Sequence, residues 1–345
     1  MLIYHIADAH LGSKMHSLKE DAASSRRVKL FSTFSKAINN ASKDGVKIIL
    51  LPGDIFDEDM PKESDLNNFY NLINAYPDIN FYYLRGNHDL INHRNDIPNL
   101  KYFSSSFSSY KEGNIVIGGI ELNKDNISSF YNEIKFNEED YNILMLHGDI
   151  ANDIDLKKLK NKNIDYIALG HIHTFQKGEL DRRTSYSYSG VLLGRGYDET
   201  KEKGYVILNT DNNDIRFVPS SSEIIEEHDL DISKCASSYN VSELIKDKFS
   251  NTKIILRLNL YGDISFPRPE NGLESYLESL LNNFYKSLSI KDHTTDYIDI
   301  DELKNSKSFE GELIRIVEND DKLSSEEKKK IIALAIKALR GELKA

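Results

Sequence analysis

The stretch Tyr166-Ile-Ala-Leu-Gly-His-Ile-His173 joins a short apolar run directly to two histidines. An apolar run of this length that ends in glycine is typical of a strand buried on both faces. Polar residues follow four other apolar runs in the same way, at residues 2–6, 46–51, 81–84 and 143–146. Helical spacing of apolar residues separates the first three runs, at residues 26–42 and 63–75. This alternation predicts an α/β domain.

Beyond Gly113 the pattern changes to short segments between Gly, Asn and Asp turns, at residues 115–122, 185–193, 204–209 and 214–218. These segments predict a second, antiparallel sheet. The Ser-rich stretch 219–223 marks a boundary, so we expect a first domain over 1–220 and a small α+β capping domain over 221–300. Residues 301–345 are predicted to be helical. Their last helix begins at a capping box, Ser324 to Glu327, and ends at Gly341.

Composition limits the functional classes. The 345 residues carry a net charge of −11, which argues against a protein that holds nucleic acid through an overall positive field but leaves room for a local basic groove. The single cysteine, Cys235, excludes an intramolecular disulfide and fits a reducing compartment. No apolar run approaches the roughly 20 residues of a membrane helix, and the first residues do not resemble a signal peptide. We therefore expect a soluble, cytoplasmic protein.

Residue types that bind metals follow all five apolar runs. Because ligands of open α/β sheets bind beyond the carboxyl ends of the strands, we expect one sheet edge to bring these side chains together. The set mixes oxygen and nitrogen donors without thiolate, which suits Mn²⁺, Fe or Zn²⁺, and seven ligands exceed one tetrahedral site. Two metal ions are implied. The candidate ligands are Asp8, His10, Asp54, Asn87, His147, His171 and His173.

A lone His-x-His or Gly-Asp at a strand end is more often a structural feature than a metal site, so each motif alone is weak. A structural explanation must account for five such coincidences at once, which favours the metal site. Adjacent glycines add support, because they let the backbone turn sharply and approach an ion without a Cβ clash. These glycines are Gly53, Gly86, Gly148 and Gly170.

The five motifs together resemble those of the calcineurin-like metallophosphoesterases, and more narrowly the SbcD family of DNA repair nucleases. The resemblance rests on the segments 6–12, 51–57, 86–89, 147–148 and 166–173, and covers about the first 220 residues. It implies a four-layer α/β/β/α sandwich with a small capping domain and C-terminal helices. By the same resemblance, the 221–300 domain contacts DNA.

The resemblance also implies a role for each ligand. One metal is held by Asp8, His10, Asp54 and His173, and the other by Asp54, Asn87, His147 and His171. A bridging Asp54 carboxylate would keep two cations about 3.5–4 Å apart, where both can coordinate one phosphate. We expect these cations to be Mn²⁺.

Two residues beside the ligands are assigned to catalysis. His88 is expected to face the phosphate, stabilising charge or protonating the leaving sugar oxygen. Asp89 either orients His88 or braces the loop. The sequence departs from the archaeal and eukaryotic relatives at Asp57, where those often have histidine, and this puts in doubt a second catalytic histidine in that loop. His5 matches no motif and is expected to be a core or strand residue.

DNA contacts require local cations despite the negative total charge. Solvated surface charge explains each candidate equally well, except that Lys14 and Arg85 lie beside metal motifs. The candidates are Lys14, Arg26, Arg27, Arg85, Arg182 and Arg183, with Arg94 and Arg195 as further ones.

We expect a two-metal phosphodiesterase that cuts double-stranded DNA ends and hairpins as a 3′–5′ exonuclease and structure-directed endonuclease. The resemblance implies an SbcC-like ATPase partner docked on segment 301–345, and a homodimer paired through helices of the first domain. The apolar stripes of helices 26–42 and 63–75 are equally explained by core packing, as is the terminal stripe Ile331, Leu334, Ala335, Ala338 and Leu339. Two alternatives remain, namely a dinuclear phosphoesterase for nucleotides or phosphoproteins, and a metal-stabilised scaffold that regulates the ATPase.

Overall fold

A computed structural model describes residues 1–57, 61–89 and 96–339. Two residues used in the sequence predictions, Arg94 and Gly341, lie outside these ranges. Chain contacts define two compact units, the first with Met1–His228, Phe249–Arg257 and Leu281–Ser289, the second with Asp229–Lys248, Leu258–Leu280 and Ile290–Ala345. Within the described ranges, no helix is both long enough and apolar enough to cross a bilayer.

Twelve strands of the first unit form two six-stranded sheets. They are β1 Leu2–His5, β2 Ile48–Pro52, β3 Asn80–Leu84, β4 Leu100–Tyr102, β5 Ser108–Glu112, β6 Ile115–Gly119, β7 Tyr141–His147, β8 Tyr166–Gly170, β9 Gln176–Glu179, β10 Ser185–Tyr188, β11 Gly204–Asn209 and β12 Asp214–Pro219. The first sheet has the order β12-β11-β1-β2-β3-β4, and the second has the order β5-β6-β7-β8-β10-β9.

The α/β class is confirmed, but the antiparallel second sheet is wrong. Strands β6, β7, β8 and β10 pair in parallel, and only the edge strands β5 and β9 are antiparallel to their neighbours. Two of the segments assigned to that sheet, β11 and β12, instead extend the first sheet beside β1. An apolar run indicates a buried strand but carries no information about its pairing partner, which is set by distant residues.

The central strands are apolar throughout because both of their faces are covered. In β2, Ile48 and Leu50 point into a core shared by the two sheets, while Ile49 and Leu51 point to the outer face. In β7, Ile143 faces the shared core and Leu144 faces outward. When both faces of a strand are covered, none of its positions faces solvent, so the strand lacks the alternating polar residues of a half-exposed strand. The two sheets therefore stack face to face.

Helices α1, Glu20–Lys43, and α2, Glu63–Asn74, cover the outer face of the first sheet. Leu30, Phe34 and Ile38 of α1 are buried in the same core as Phe69 of α2. The apolar stripes of both helices thus pack on their own sheet. Over the outer face of the second sheet, the described residues form 3₁₀ turns, Phe130–Asn132 and Leu156–Leu159, and loops in place of regular α-helices.

The remainder of the chain adds strands and helices of both units. These are β13 Ile225–Asp231, α3 Ser238–Lys248, β14 Ile255–Tyr261, β15 Asp263–Ile264, α4 Leu273–Leu281, β16 Ser287–Asp292, β17 Thr295–Asp296, α5 Ile300–Asn305, α6 Phe309–Glu318 and α7 Ser325–Leu339. Strands β13, β14 and β16 form a three-stranded sheet in the order β13-β14-β16.

Helix α7 begins at the predicted capping box. Ser324 Oγ accepts from the backbone N–H of Glu327 at 3.3 Å, and the Glu327 carboxylate accepts from the backbone N–H of Ser324 at 2.8 Å. The helix is anchored through Ile332 and Ile336, which are buried with Ile314 of α6. The predicted stripe is a different face, and its Leu334 is 59% exposed.

Candidate metal centre

The predicted ligands come together, but at the edges of two sheets. Strands β1, β2 and β3 of the first sheet and β7 and β8 of the second deliver them, so the expectation of a single sheet edge is wrong. Face-to-face stacking brings the two edges into contact, since His147 Nδ1 lies 3.0 Å from the Pro52 carbonyl oxygen and the backbone N–H of His171 donates to Asp8 Oδ1 at 2.9 Å. Each sheet supplies part of one site.

Asp8, His10 and His173 form the first cluster, with ligand atoms that all lie within 4.8 Å of one another. The Nε2 atoms of His10 and His173 are 3.2 Å apart. Neighbouring ligands around an ion with bonds of about 2.1 Å lie about 3 Å apart, so this spacing suits a bound cation. Asp8 and His10 are buried and His173 is partly exposed, which leaves the cluster open on one side.

Asp54, His147 and His171 form the second cluster. Asn87 belongs with them, because its Oδ1 lies 2.9 Å from His147 Nε2 and 3.1 Å from His171 Nδ1. Asp54 Oδ2 lies 3.3 Å from His147 Nε2. The converging oxygen and nitrogen donors, without thiolate, fit a second divalent cation.

Backbone conformation at the ligands is unusual. Asp8, His10, Asp54 and His171 have φ angles of 49°, 45°, 52° and 104°, in the left-handed region that non-glycine residues rarely adopt. Such conformations cost about 1–3 kcal/mol each and persist where the surroundings impose them, commonly at functional sites. The strain falls at four predicted ligands on three strand ends, which supports a functional origin.

Glycine is required at two positions beside the ligands. A Cβ on Gly53, whose φ is +94°, would overlap the imidazole of His147. A Cβ on Gly86 would overlap the carboxylate and backbone of Asp54. The glycines therefore make room for the ligand side chains, whereas the sequence analysis expected them to make room for an ion.

Electrostatics within the clusters are those of a site adapted to cations. Burial raises the pKa of Asp8 to about 7 and lowers the pKa of His10 to about 4. Burial also acts to lower the pKa of His147, but the carboxylates of Asp54 and Asp8 outweigh it and raise that pKa to about 9. Cations placed among these groups would favour ionised carboxylates and neutral imidazoles, which are the ligand forms.

Behind the first cluster lie three charged residues. Asp57 Oδ1 is 2.9 Å from His10 Nδ1, and Glu199 Oε1 is 2.9 Å from His173 Nδ1. The guanidinium of Arg195 contacts both carboxylates at 2.6 Å. The sequence prediction missed Glu199 and treated Arg195 only as a DNA contact. The available signal was their i,i+4 spacing beyond β10, which is weak alone.

His88 and Asp89 occupy different environments. The side chain of His88 is exposed, and its ring centroid lies 5.2 Å from that of His10. Asp89 is buried and accepts hydrogen bonds from the backbone N–H groups of Phe56 at 2.9 Å and Gly86 at 3.1 Å. Of the two roles left open for Asp89, these contacts are those of a brace for the loop.

The candidate DNA contacts differ in their burial and in their contacts with carboxylates. Arg26 is 3% exposed and donates to backbone carbonyls inside the first unit. Arg85 and Arg183 bind the carboxylates of Glu121 and Asp165 through two nitrogens each, and Arg27 pairs with Glu20. Lys14 and Arg182 are exposed. Lys14 lines a cavity of about 400 Å³ together with Asp57, Arg195 and Glu199.

Comparison with known proteins gives one family and distant relatives. The family described as calcineurin-like phosphoesterase matches residues 1–175. The chain is 26% identical to the uncharacterized metallophosphoesterase YhaO of Bacillus subtilis, over 92% of this chain and 87% of that protein. It is 26% identical to the DNA double-strand break repair protein Mre11 of Thermoplasma acidophilum, over 76% of this chain and 77% of that protein. Among solved structures, a dimetal phosphatase from Danio rerio is 10% identical with a TM-score of 0.42, covering 60% of this chain and 91% of that chain.

Proposed function

The chain belongs to the calcineurin-like phosphoesterase family, and on this premise we propose that it is a two-metal phosphodiesterase that cleaves DNA. Family membership supports phosphoester hydrolysis at a dinuclear metal centre, and the two ligand clusters agree with it. We assign one ion to Asp8, His10 and His173 and the other to Asp54, Asn87, His147 and His171, with Asp54 as the bridge and Mn²⁺ as the cation. Bound there, two divalent cations would polarise phosphoryl oxygens and lower the pKa of a water molecule.

The observation that carries this proposal is the exposed imidazole of His88 next to the first ligand cluster. Its backbone N–H donates to Asp54 Oδ1 at 2.8 Å, which ties the loop to the second cluster. The imidazole is outside the two clusters that the sequence motifs define, but a ring nitrogen lies within 4.8 Å of ligand atoms of His10 and Asp57. It faces solvent, where a phosphate would approach. From that position it donates a hydrogen bond to a phosphoryl oxygen or protonates the leaving sugar oxygen.

Replacement of His88 with alanine tests this role. His88→Ala should lower cleavage of end-labelled duplex DNA in Mn²⁺ by about 100- to 1,000-fold, because one proton donor to the transition state is lost. Both ions should remain bound, since His88 supplies no ligand in this assignment. The readouts are the cleavage rate and the metal content of the purified protein.

Asn132→Ala is the control, because Asn132 is exposed, lies in neither cluster and is outside the 221–300 segment. It should cleave at the wild-type rate. Wild-type cleavage by His88→Ala would remove His88 from the reaction. Products from a 3′-labelled duplex and from a hairpin would report the proposed 3′–5′ exonuclease and structure-directed endonuclease activities.

DNA as the substrate is supported by the likeness to Mre11 of Thermoplasma acidophilum, a DNA double-strand break repair protein. Among the candidate cations, Lys14 and Arg182 have exposed side chains that a phosphate can reach. By the resemblance to SbcD nucleases, the 221–300 segment would add further contacts to the duplex.

A second candidate, hydrolysis of nucleotides or phosphoproteins, is favoured by one observation. Arg85 and Arg183 are neutralised by bidentate pairs with Glu121 and Asp165, so they offer little to a DNA backbone. Cleavage rates on duplexes of increasing length separate the two candidates. A rate that rises with length supports the DNA substrate, and a rate that does not change supports the small substrate.

We propose further that the C-terminal helices dock on an SbcC-like ATPase. Helices α6 and α7 pack on each other through Ile314, Ile332 and Ile336, yet leave Phe309, 70% exposed, and Leu334 on the surface. One apolar face thus serves packing within the chain, while another is available to a partner. We also propose a homodimer that acts in the cytoplasm, by the same resemblance.

Substitution of Leu334 with aspartate tests docking. Leu334→Asp should reduce capture of a purified SbcC-like ATPase at least about tenfold, because a charge would enter a desolvated interface. Leu280→Asp is the matched control, since Leu280 of α4 is 45% exposed. Equal capture by Leu334→Asp and the wild-type protein would place the ATPase contact elsewhere.

A further inference from the structure

The two histidines of the first cluster are held in the same way. His10 and His173 each direct Nε2 toward the other ring and Nδ1 toward a carboxylate, Asp57 for His10 and Glu199 for His173. A carboxylate at Nδ1 keeps the proton on that nitrogen and leaves Nε2 free to bind a cation. Both imidazoles therefore have the orientation of a ligand, with Nε2 toward the cluster and Nδ1 toward a carboxylate.

Arg195 connects the two carboxylates. Its guanidinium lies 2.6 Å from Asp57 Oδ1 and 2.6 Å from Glu199 Oε1, and its backbone N–H donates to Glu199 Oε2 at 2.7 Å. The oxygen that faces each histidine is thus also the oxygen that faces the arginine. Because Glu199 and Arg195 are largely buried, the guanidinium compensates charge that would otherwise be costly to bury.

The second cluster has no equivalent arrangement among the described residues. His147 Nδ1 faces the neutral carbonyl oxygen of Pro52 at 3.0 Å. His171 directs Nδ1 into the cluster, toward Asn87. In the first cluster, by contrast, Nδ1 faces a carboxylate and Nε2 is the ligand nitrogen. An imidazole with a carboxylate partner is a stronger electron donor to a metal than an imidazole with a carbonyl partner. The two sites are therefore chemically different.

We propose that Asp57, Arg195 and Glu199 are positioning residues that make the site of Asp8, His10 and His173 the tighter of the two cation sites. This inference rests on the proposed two-metal centre, and it predicts that the site of Asp8, His10 and His173 binds a cation first. It also assigns a role to Asp57, which supports the ligand His10.

Titration of the metal-free, full-length protein with Mn²⁺ tests the proposal, with free Mn²⁺ followed by electron paramagnetic resonance. The wild-type protein should bind two ions with different affinities. Glu199→Gln should weaken the tighter class about 10- to 100-fold and leave the weaker class unchanged, the usual effect of losing an anionic partner of a ligand. Asp57→Asn should weaken the same class, which covers the case in which one variant does not fold.

Glu202→Gln is the matched control, because it removes the same charge from an exposed residue close in sequence. Nitrogen-15 spectra of the histidine rings add a readout that general destabilisation would not produce, since Glu199→Gln should shift the Nδ1–H resonance of His173 alone. Unchanged affinities, or equal weakening of both classes, would overturn the positioning role. Binding of fewer than two ions by the wild-type protein would instead overturn the two-metal centre itself.

Discussion

Asp54→Asn should reduce phosphoester hydrolysis by at least about 100-fold, because the substitution removes a charge that the second cluster needs to bind its cation. Asp54 is 1% exposed, and its two oxygens have separate tasks. Oδ2 lies with His147 in the second cluster, and Oδ1 holds the backbone N–H of His88. The variant should therefore lose an ion and displace the His88 loop together.

Two measurements check this prediction, the metal content of the purified variant and its rate on a chromogenic phosphodiester. Asp211→Asn provides the control, since Asp211 is an exposed aspartate on the turn after β11. The chromogenic substrate makes the result independent of DNA binding. If Asp54→Asn kept two ions and the wild-type rate, the assignment of the metal centre would be wrong.

The positions of the candidate ligands were predictable because their signal is local. A strand with two buried faces must be apolar along its whole length, so Asp54, three residues after Leu51, and His147, directly after Leu146, are conspicuous. The pairing of the strands was not predictable in the same way. β8 has the same apolar appearance as β2, yet it pairs with β7 and β10 in the other sheet.

The role of the residues behind the ligands was missed because their contacts are distant in sequence. Arg195 and Asp57 are 138 positions apart, and nothing near either residue indicates the other. The candidate DNA contacts show the same difficulty. Arg85 and Arg182 look equivalent in the sequence, but Arg85 is bound by Glu121 while Arg182 is exposed. Whether a cation is free for a phosphate depends on carboxylates that the fold brings to it.

The terminal helix illustrates a prediction that was right in kind and incomplete in detail. Its capping box and amphipathic pattern are both present, since both depend on neighbouring residues. The sequence stripe that includes Leu334 is nevertheless exposed, and the helix packs through Ile332 and Ile336. Helix α7 has two apolar faces, and only the fold shows which one is covered.

Gly53→Ala should combine a large loss of stability with loss of the metal centre. Its φ of +94° disfavours any side chain, and the new Cβ would overlap the imidazole of His147. Gly113→Ala is a matched control, because Gly113 also has a positive φ, +65°, but has no atom within 4 Å of the added Cβ. The left-handed conformation alone costs about 1–2 kcal/mol, so both variants should lose that much free energy of unfolding.

The difference between the two variants isolates the clash. Gly53→Ala should lose about 1–3 kcal/mol more than Gly113→Ala in urea unfolding of the metal-free protein, as overpacking of a buried site does. It should also fail to bind the second Mn²⁺ ion, because a displaced His147 no longer meets Asn87 and Asp54. Equal stability of the two variants, with both ions bound, would mean that His147 shifts away from the added Cβ with no loss in the free energy of unfolding. The close fit of the Gly53 turn around that ligand would then not be needed for metal binding.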